Sequence, residues 1–254
     1  MYIYEELQAL KRAILPWFYV FAVLSLFFFF FEIKPVDFSG YRVYLPSPSV
    51  EPIAAKVFLV AESNILPPGV ELVVTEPLSG FTVTAGIAAG LAFVLTFPWL
   101  LRSLSVYIFE ALYDREKRVV TRAVFPAMLL FTAGTVFGYL VVLPPAFSVL
   151  YRYATSLGAR NLFSLGEFAV FVFGVSIACG AMFLIPVFMA GLNYAGVTDR
   201  KFWMDNWRTA FLIFLIVSAI ITPDGSGITM LLLTTPLIGL YLAGSIVGAG
   251  NGHK

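Results

Sequence analysis

The chain has 254 residues, of which 60% are hydrophobic and only 12% are charged, against about 25% charged in an ordinary soluble domain. Its mean hydropathy is +0.91 and 26 residues are Phe; a fold of this length facing water on all sides has no room to hide that much apolar side chain, so lipid is the main solvent. A single cysteine, Cys179, and a single histidine, His253, exclude an internal disulfide, zinc-finger and HExxH metal sites and a Ser-His-Asp triad, and a net charge of +1 gives no pull on nucleic acid. Composition therefore leaves an integral membrane protein with no evident catalytic metal or triad; joined to the helical spans read below, the expectation is an all-α membrane protein that is not an enzyme and carries no cofactor.

Charges fall in clusters separated by long uncharged stretches, and a spanning helix needs about 17–25 apolar residues. The first stretch predicts a span over 13–31, with Pro16 in its first turn, where the missing N–H costs little. Lys11-Arg12 before an apolar run looks like the start of a signal peptide, but the run ends in Phe27 to Phe31 and Glu32 with no small-residue cleavage site, which favours a retained span. Residues 32–79 mix polar and apolar. Within them Val50, Ile53, Val57, Phe58 and Val60 alternate with Glu51, Lys56 and Glu62, the pattern of a short amphipathic helix over Ser49–Ser63 that caps the bundle or lies on the membrane. Pro67-Pro68-Gly69 ends it, and Val70–Thr75 reads as extended.

Further spans are predicted over 81–101, 123–143 (closed by Pro144-Pro145) and 168–192. The run 209–221 is short for a span. A turn signal, Thr222-Pro223-Asp224-Gly225-Ser226-Gly227, leads from it into 228–247, which contains Pro236. Two readings fit: two helices joined by a tight turn at one membrane face, the short one tolerated by local bilayer thinning, or a re-entrant hairpin that never crosses. With six spans and both termini inside, the inner segments hold Lys11, Arg12, Arg102, Arg115, Lys117, Arg118, Arg122, Arg200, Lys201, Arg208 and Lys254, and the outer ones only Lys34, Arg42, Lys56, Arg152 and Arg160. The excess of cations inside predicts cytoplasmic N and C termini.

Four segments carry a family likeness. Ala111-Leu112-Tyr113-Asp114-Arg115-Glu116-Lys117-Arg118 is similar to the LY-xx-ER-R signature of the TatC family of twin-arginine translocase proteins. The run from Leu130 through Gly134, Phe137, Tyr139 and Val142 to Pro144 resembles that family's third span, Gly180 to Pro186 its G-xx-F-xx-P, and Thr222-Pro223-Asp224 with Pro236 and Leu240-Tyr241 its ending. Pro98 belongs to the same set of structural motif residues. The likeness covers about residues 76–242.

The resemblance implies a glove-shaped six-helix bundle with short fifth and sixth helices and an extracytoplasmic cap, set in the cytoplasmic membrane. It implies the receptor that binds Arg-Arg signal peptides of folded precursor proteins. It also implies partnership with single-span TatA/TatB-type subunits, a homo-oligomer in the active complex, and export driven by the proton-motive force. The chain departs from the family at Ala9, where a functional Glu is usual, at Lys11 for an Arg, and at Glu110, Leu184, Met230 and Leu242. Glu5 and Glu6, four and three residues before Ala9, share its helix face and are candidates to substitute for the missing carboxylate.

A pair of guanidinium groups is met most naturally by carboxylates, which match their planar fork of donors. The expected site is Glu116 as principal acceptor, Glu5 or Glu6 as the second, and Ser103 and Tyr107 on the receptor surface. By chemistry alone Glu116 instead pairs with nearby cations on a solvated face, an arrangement contributing about 0–1 kcal/mol; the resemblance turns the choice toward the receptor role. Tyr107 also fits an interfacial belt. Three small-xxx-small pairs, Gly86/Gly90, Gly134/Gly138 and Gly244/Gly248, permit close helix approach, the first two within the chain and the last toward a partner helix. Thr229, Met230, Thr234 and Pro236 are expected at the docking face for a single-span subunit, and Asp224 either caps the last helix or serves function. The rival reading, a secondary transporter or channel for a small solute, calls for ionisable groups near the bilayer midplane, and the apolar stretches contain none.

Overall fold

The computed structural model describes the backbone of residues 2–38, 41–111, 114–158, 162–194, 196–222 and 227–247, and their side chains apart from 2–7, 9, 35–44, 105–120, 122 and 247. Helix α1 (Tyr2–Phe30) starts well before the expected residue 13. Pro16 therefore lies inside the helix rather than in its first turn, and the Arg12 carbonyl loses the amide that would close its turn. Such a proline is tolerated in a membrane helix because neighbouring groups re-satisfy the backbone.

A hairpin comes next that the alternation of residue types did not predict. Strands β1 (Phe31–Phe38) and β2 (Tyr41–Pro48) pair antiparallel, from Phe31 opposite Pro48 to Phe38 opposite Tyr41. The sequence signal for it is Ser39-Gly40, a turn dipeptide. Helix α2 (Ile53–Ile65) is the amphipathic cap element. It starts later than Ser49 because Pro52, at φ −68° and ψ 171°, is still extended. Gly69, at φ +95°, turns the chain after Pro67-Pro68 in a conformation that side chains with a Cβ resist. Strand β3 (Glu71–Val73) sits inside the segment expected to be extended.

Helix α3 (Ser79–Ala111) contains Pro98, and α4 (Asp114–Phe137) contains Pro126. The third apolar run does not end at Pro144-Pro145. A π-helical turn, Gly138–Val142, hands α4 over to α5 (Leu143–Ser156), whose first turn holds both prolines. There their missing N–H groups cost little, so the helical path continues to Ser156. Strand β4 (Leu162–Ser164) pairs parallel to β3, with Glu71 opposite Leu162. The fourth apolar run is two helices, α6 (Leu165–Met182) and α7 (Ile185–Tyr194), broken at Phe183-Leu184 next to Pro186. Helix α8 (Arg200–Asp205) is capped by Asp199, whose carboxylate accepts from the Phe202 amide at 2.7 Å. Helices α9 (Trp207–Ile221) and α10 (Ile228–Val247) complete the chain. Among the described residues five helical runs are long and apolar enough to cross a membrane: Leu10–Phe30, Ser79–Leu104, Ala123–Ser156, Leu165–Tyr194 and Ile228–Ile246; Trp207–Ile221 is shorter.

Helix α1 lies along α3, α3 against α4 and α6, α4 against α6, and α10 against α7 and α9. The tightest seam joins α4 to α6. A Cβ on Gly134 would stand 2.7 Å from the Cys179 carbonyl oxygen, one on Gly138 2.9 Å from the Cys179 Cβ, and one on Gly180 2.5 Å from the Thr135 hydroxyl, so only glycine lets these backbones meet. Gly90 approaches α6 at Phe173, whereas Gly86 has nothing within 4 Å and makes no such approach. Gly244 packs on Pro186 of α7, within the chain rather than toward a partner; Gly248 lies outside the described residues. Phe97 and Phe131 stack with ring centroids 3.6 Å apart between α3 and α4. Phe58 of the cap meets Phe168 edge-on at 5.6 Å, and Phe147 joins them from α5.

Candidate functional site

The N-terminal end of α1, the C-terminal part of α3 and the start of α4 come together at the face of the bundle opposite the hairpin. The Trp17 indole donates to the Thr96 carbonyl at 3.1 Å, which fixes the antiparallel register of α1 on α3. That register sets the first turns of α1, with Glu5 and Glu6, beside the last turns of α3, with Tyr107. Glu116 is in the first turn of α4. The side chains of Glu5, Glu6, Tyr107 and Glu116 lie outside the described residues. Ser103 is described, and it lines a recess of about 740 Å³ together with Arg12, Pro16, Pro98, Trp99, Arg102 and residues of α4. Pro98 thus shapes this recess, a role its motif membership alone did not reveal.

The opposite face carries a charged clasp. Glu32, 4% exposed, forms ion pairs with Lys56 of α2 at 2.5 Å and with Lys34 at 3.0 Å. Hydrogen bonds from Lys56 first, then from Ser49 and Lys34, pull its pKa down to about 2. The cap is fastened a second time, to the π-helical turn, where Asn64 donates to the Tyr139 hydroxyl at 3.2 Å. Beneath the cap an apolar recess of about 570 Å³ opens between α2, α3, α4 and α6, with Val57, Leu91, Val136 and Phe173 in its wall and Lys56 at its rim. Sequence reasoning missed this recess, since its walls come from four separate segments.

At the far end of the bundle the structure corrects the orientation of two expected docking residues. Thr229 and Thr234 are 0% and 1% exposed. Thr234 donates to the Ser218 hydroxyl of α9 at 3.1 Å and to the Met230 carbonyl at 2.8 Å, so both threonines face the chain's own interior. Met230 and Pro236 are half-buried. The outward stripe of α10 is Ile228, Leu231, Thr235, Leu242 and Ile246. Tyr241 reaches the other way and donates to the Trp203 carbonyl at 2.7 Å. Of the remaining motif residues, Gly134 is buried on α6, Phe137 packs on Phe183 at 5.4 Å, Pro144 opens α5 and Pro186 receives Gly244. Pro223 and Asp224 lie outside the described residues.

An apolar helical bundle with a capped end and a polar face opposite it is a polytopic membrane protein built around a fixed scaffold. The model of the Sec-independent protein translocase protein TatC matches residues 5–236, and the chain belongs to the TatC family. It is 34% identical to the Sec-independent protein translocase protein TatC of Cenarchaeum symbiosum (strain A) over 94% of this chain and 91% of that one. To the chloroplastic TATC of Arabidopsis thaliana it is 30% identical over 74% of this chain, which spans 55% of the longer plant protein. The fold is similar to the crystal structure of the twin-arginine translocase receptor TatC, with a TM-score of 0.71 and 26% identity over 96% of this chain and 97% of that one; the same receptor in DDM gives 0.73. The chain is thus a membrane-embedded component of the protein translocase family, and the transporter reading is not favoured.

Proposed function

We propose that the chain is the receptor subunit of a twin-arginine translocase in the cytoplasmic membrane, with both termini in the cytoplasm and α9 and α10 both crossing. The observation that carries this reading is the likeness of nearly the whole chain to the twin-arginine translocase receptor. Glu116, with Glu5 or Glu6, meets the paired guanidinium groups of a signal peptide at the face where α1, α3 and α4 converge, and Ser103 and Tyr107 border that surface. The energy comes from the proton-motive force. Single-span TatA/TatB-type subunits dock on the α9–α10 pair, and the active complex contains several copies of the chain. With Thr229 and Thr234 turned inward, the contact on α10 falls on the stripe through Leu231 and Thr235.

The deciding experiment is photocrosslinking of a signal peptide to the chain in membranes. An Arg-Arg peptide is expected to crosslink from positions 103–118, a Lys-Lys peptide much less, and Glu116→Gln is expected to abolish the Arg-Arg product while the protein stays folded in detergent. Equal crosslinking of both peptides, or an unchanged product in Glu116→Gln, overturns the assignment.

A further inference from the structure

The described lining of the recess beside Ser103 is cationic and apolar. Two guanidinium groups, Arg12 from α1 and Arg102 from α3, line it, and none of its described lining side chains is acidic. Both arginines are exposed, and neither has an ion pair among the described residues. The rest of the described lining is largely apolar, with Val124 and Met128 from α4 and Trp99 from α3. Arg12 and Arg102 sit at the ends of the apolar runs Leu10–Phe30 and Ser79–Leu104, which is the depth at which lipid headgroups lie and at which Trp is enriched. Trp17 on Thr96 fastens α1 to α3, and the stacked Phe97–Phe131 pair fastens α4 to α3 one residue further on; Pro16 and Pro98, next to these fastenings in sequence, line the recess. At about 740 Å³ the space is within the range of about 300–1,000 Å³ typical of sites for small ligands.

We infer that this recess binds an anionic phospholipid of the adjacent leaflet, its phosphate between Arg12 and Arg102 and the upper part of an acyl chain along Val124 and Met128. Guanidinium groups favour phosphate by charge and by their fork of donors, and basic pockets between membrane helices hold lipid headgroups in this way. The apolar wall selects a lipid over free phosphate. The site does not depend on the receptor reading.

The test is native mass spectrometry of the purified full chain loaded with equal amounts of phosphatidylglycerol and phosphatidylcholine of the same chain length. The wild type is expected to retain phosphatidylglycerol preferentially through detergent washing, and millimolar inorganic phosphate is expected to leave it bound. In Arg12→Gln/Arg102→Gln the preference is expected to fall roughly 30-fold, the combined effect of two surface cations. Equal retention of both lipids by the wild type, release by inorganic phosphate, or an undiminished preference in the double variant overturns the proposal. If the double variant does not fold, a photoactivatable phosphatidylglycerol decides with the wild-type chain. Adducts concentrated at residues 12–16 and 98–103 support the site, and equal yields at the hairpin face refute it.

Discussion

The carbonyl oxygen of Cys179 lies 2.7 Å from where a Cβ on Gly134 would stand, and the Phe183 side chain is as close. The neighbour is backbone on one side, so no rotamer change makes room. Gly134→Ala is expected to destabilise the protein by about 1–3 kcal/mol, the range for overpacking a tight core. Gly86→Ala, with open space around it, is expected to be neutral or to stabilise by up to about 1 kcal/mol through helix propensity. Thermal unfolding of both variants in the same detergent checks the contrast, and similar losses in the two contradict it.

The Glu32 clasp makes part of the stability depend on pH. Because the folded pKa is depressed to about 2 from an ordinary value of 4.5, the carboxylate's contribution is fully present above that ordinary value and is lost as pH falls through about 2. The difference in unfolding temperature between wild type and Glu32→Gln is therefore expected to be constant from neutral pH down to the ordinary carboxylate range and then to shrink toward zero. A difference that persists unchanged to the acid limit excludes the clasp as its origin.

Thr234 and Ser218 form a buried hydroxyl pair between α10 and α9. Hydrogen bonds between membrane helices contribute on average about 0.6 kcal/mol and at most about 1.7. A double-mutant cycle with Thr234→Val and Ser218→Ala is expected to return a coupling energy of that size. A coupling near zero shows that the contact is not held in solution.

Docking on α9–α10 predicts a pattern rather than a single contact. Cysteines placed at the exposed positions Leu231, Thr235 and Leu242 are expected to crosslink to a single-span subunit in membranes, and those at Leu233, Thr234 and Leu237, each no more than 1% exposed, are not. Uniform crosslinking along α10, or none at any position, rules out this face.

The long uncharged stretches announced the helices because lipid imposes one strict demand, a run of apolar residues. They did not announce where helices start and break. The charge-bearing segment 2–12 belongs to α1, Pro144-Pro145 opens a helix instead of closing one, and α6 breaks before Pro186; each outcome depends on neighbours that supply or excuse backbone hydrogen bonds. The inward turn of Thr229 and Thr234 was illegible for another reason. Helix α10 has apolar residues all round and threonines on both its inner and outer sides, so periodicity carries no sense of which face is inside. Glu116 stood out only through the short motif around it, since a lone carboxylate among cations looks like any surface pair. The recess at Arg12 and Arg102 could not be read at all, because its walls meet only after three distant segments pack.

The wide turn at Gly138–Val142 leaves one residue surplus to the regular winding of the third apolar run. A chain shortened by a single residue there, at the exposed Leu140 for instance, can relax to an ordinary helix without changing the rotational phase of the residues beyond it, and Phe147 still arrives opposite Phe168. The same deletion placed within α4 or α5 would swing everything downstream by about 100°. Length variation in this span is thus absorbed at one joint, which lets the two halves of the rod face different neighbours.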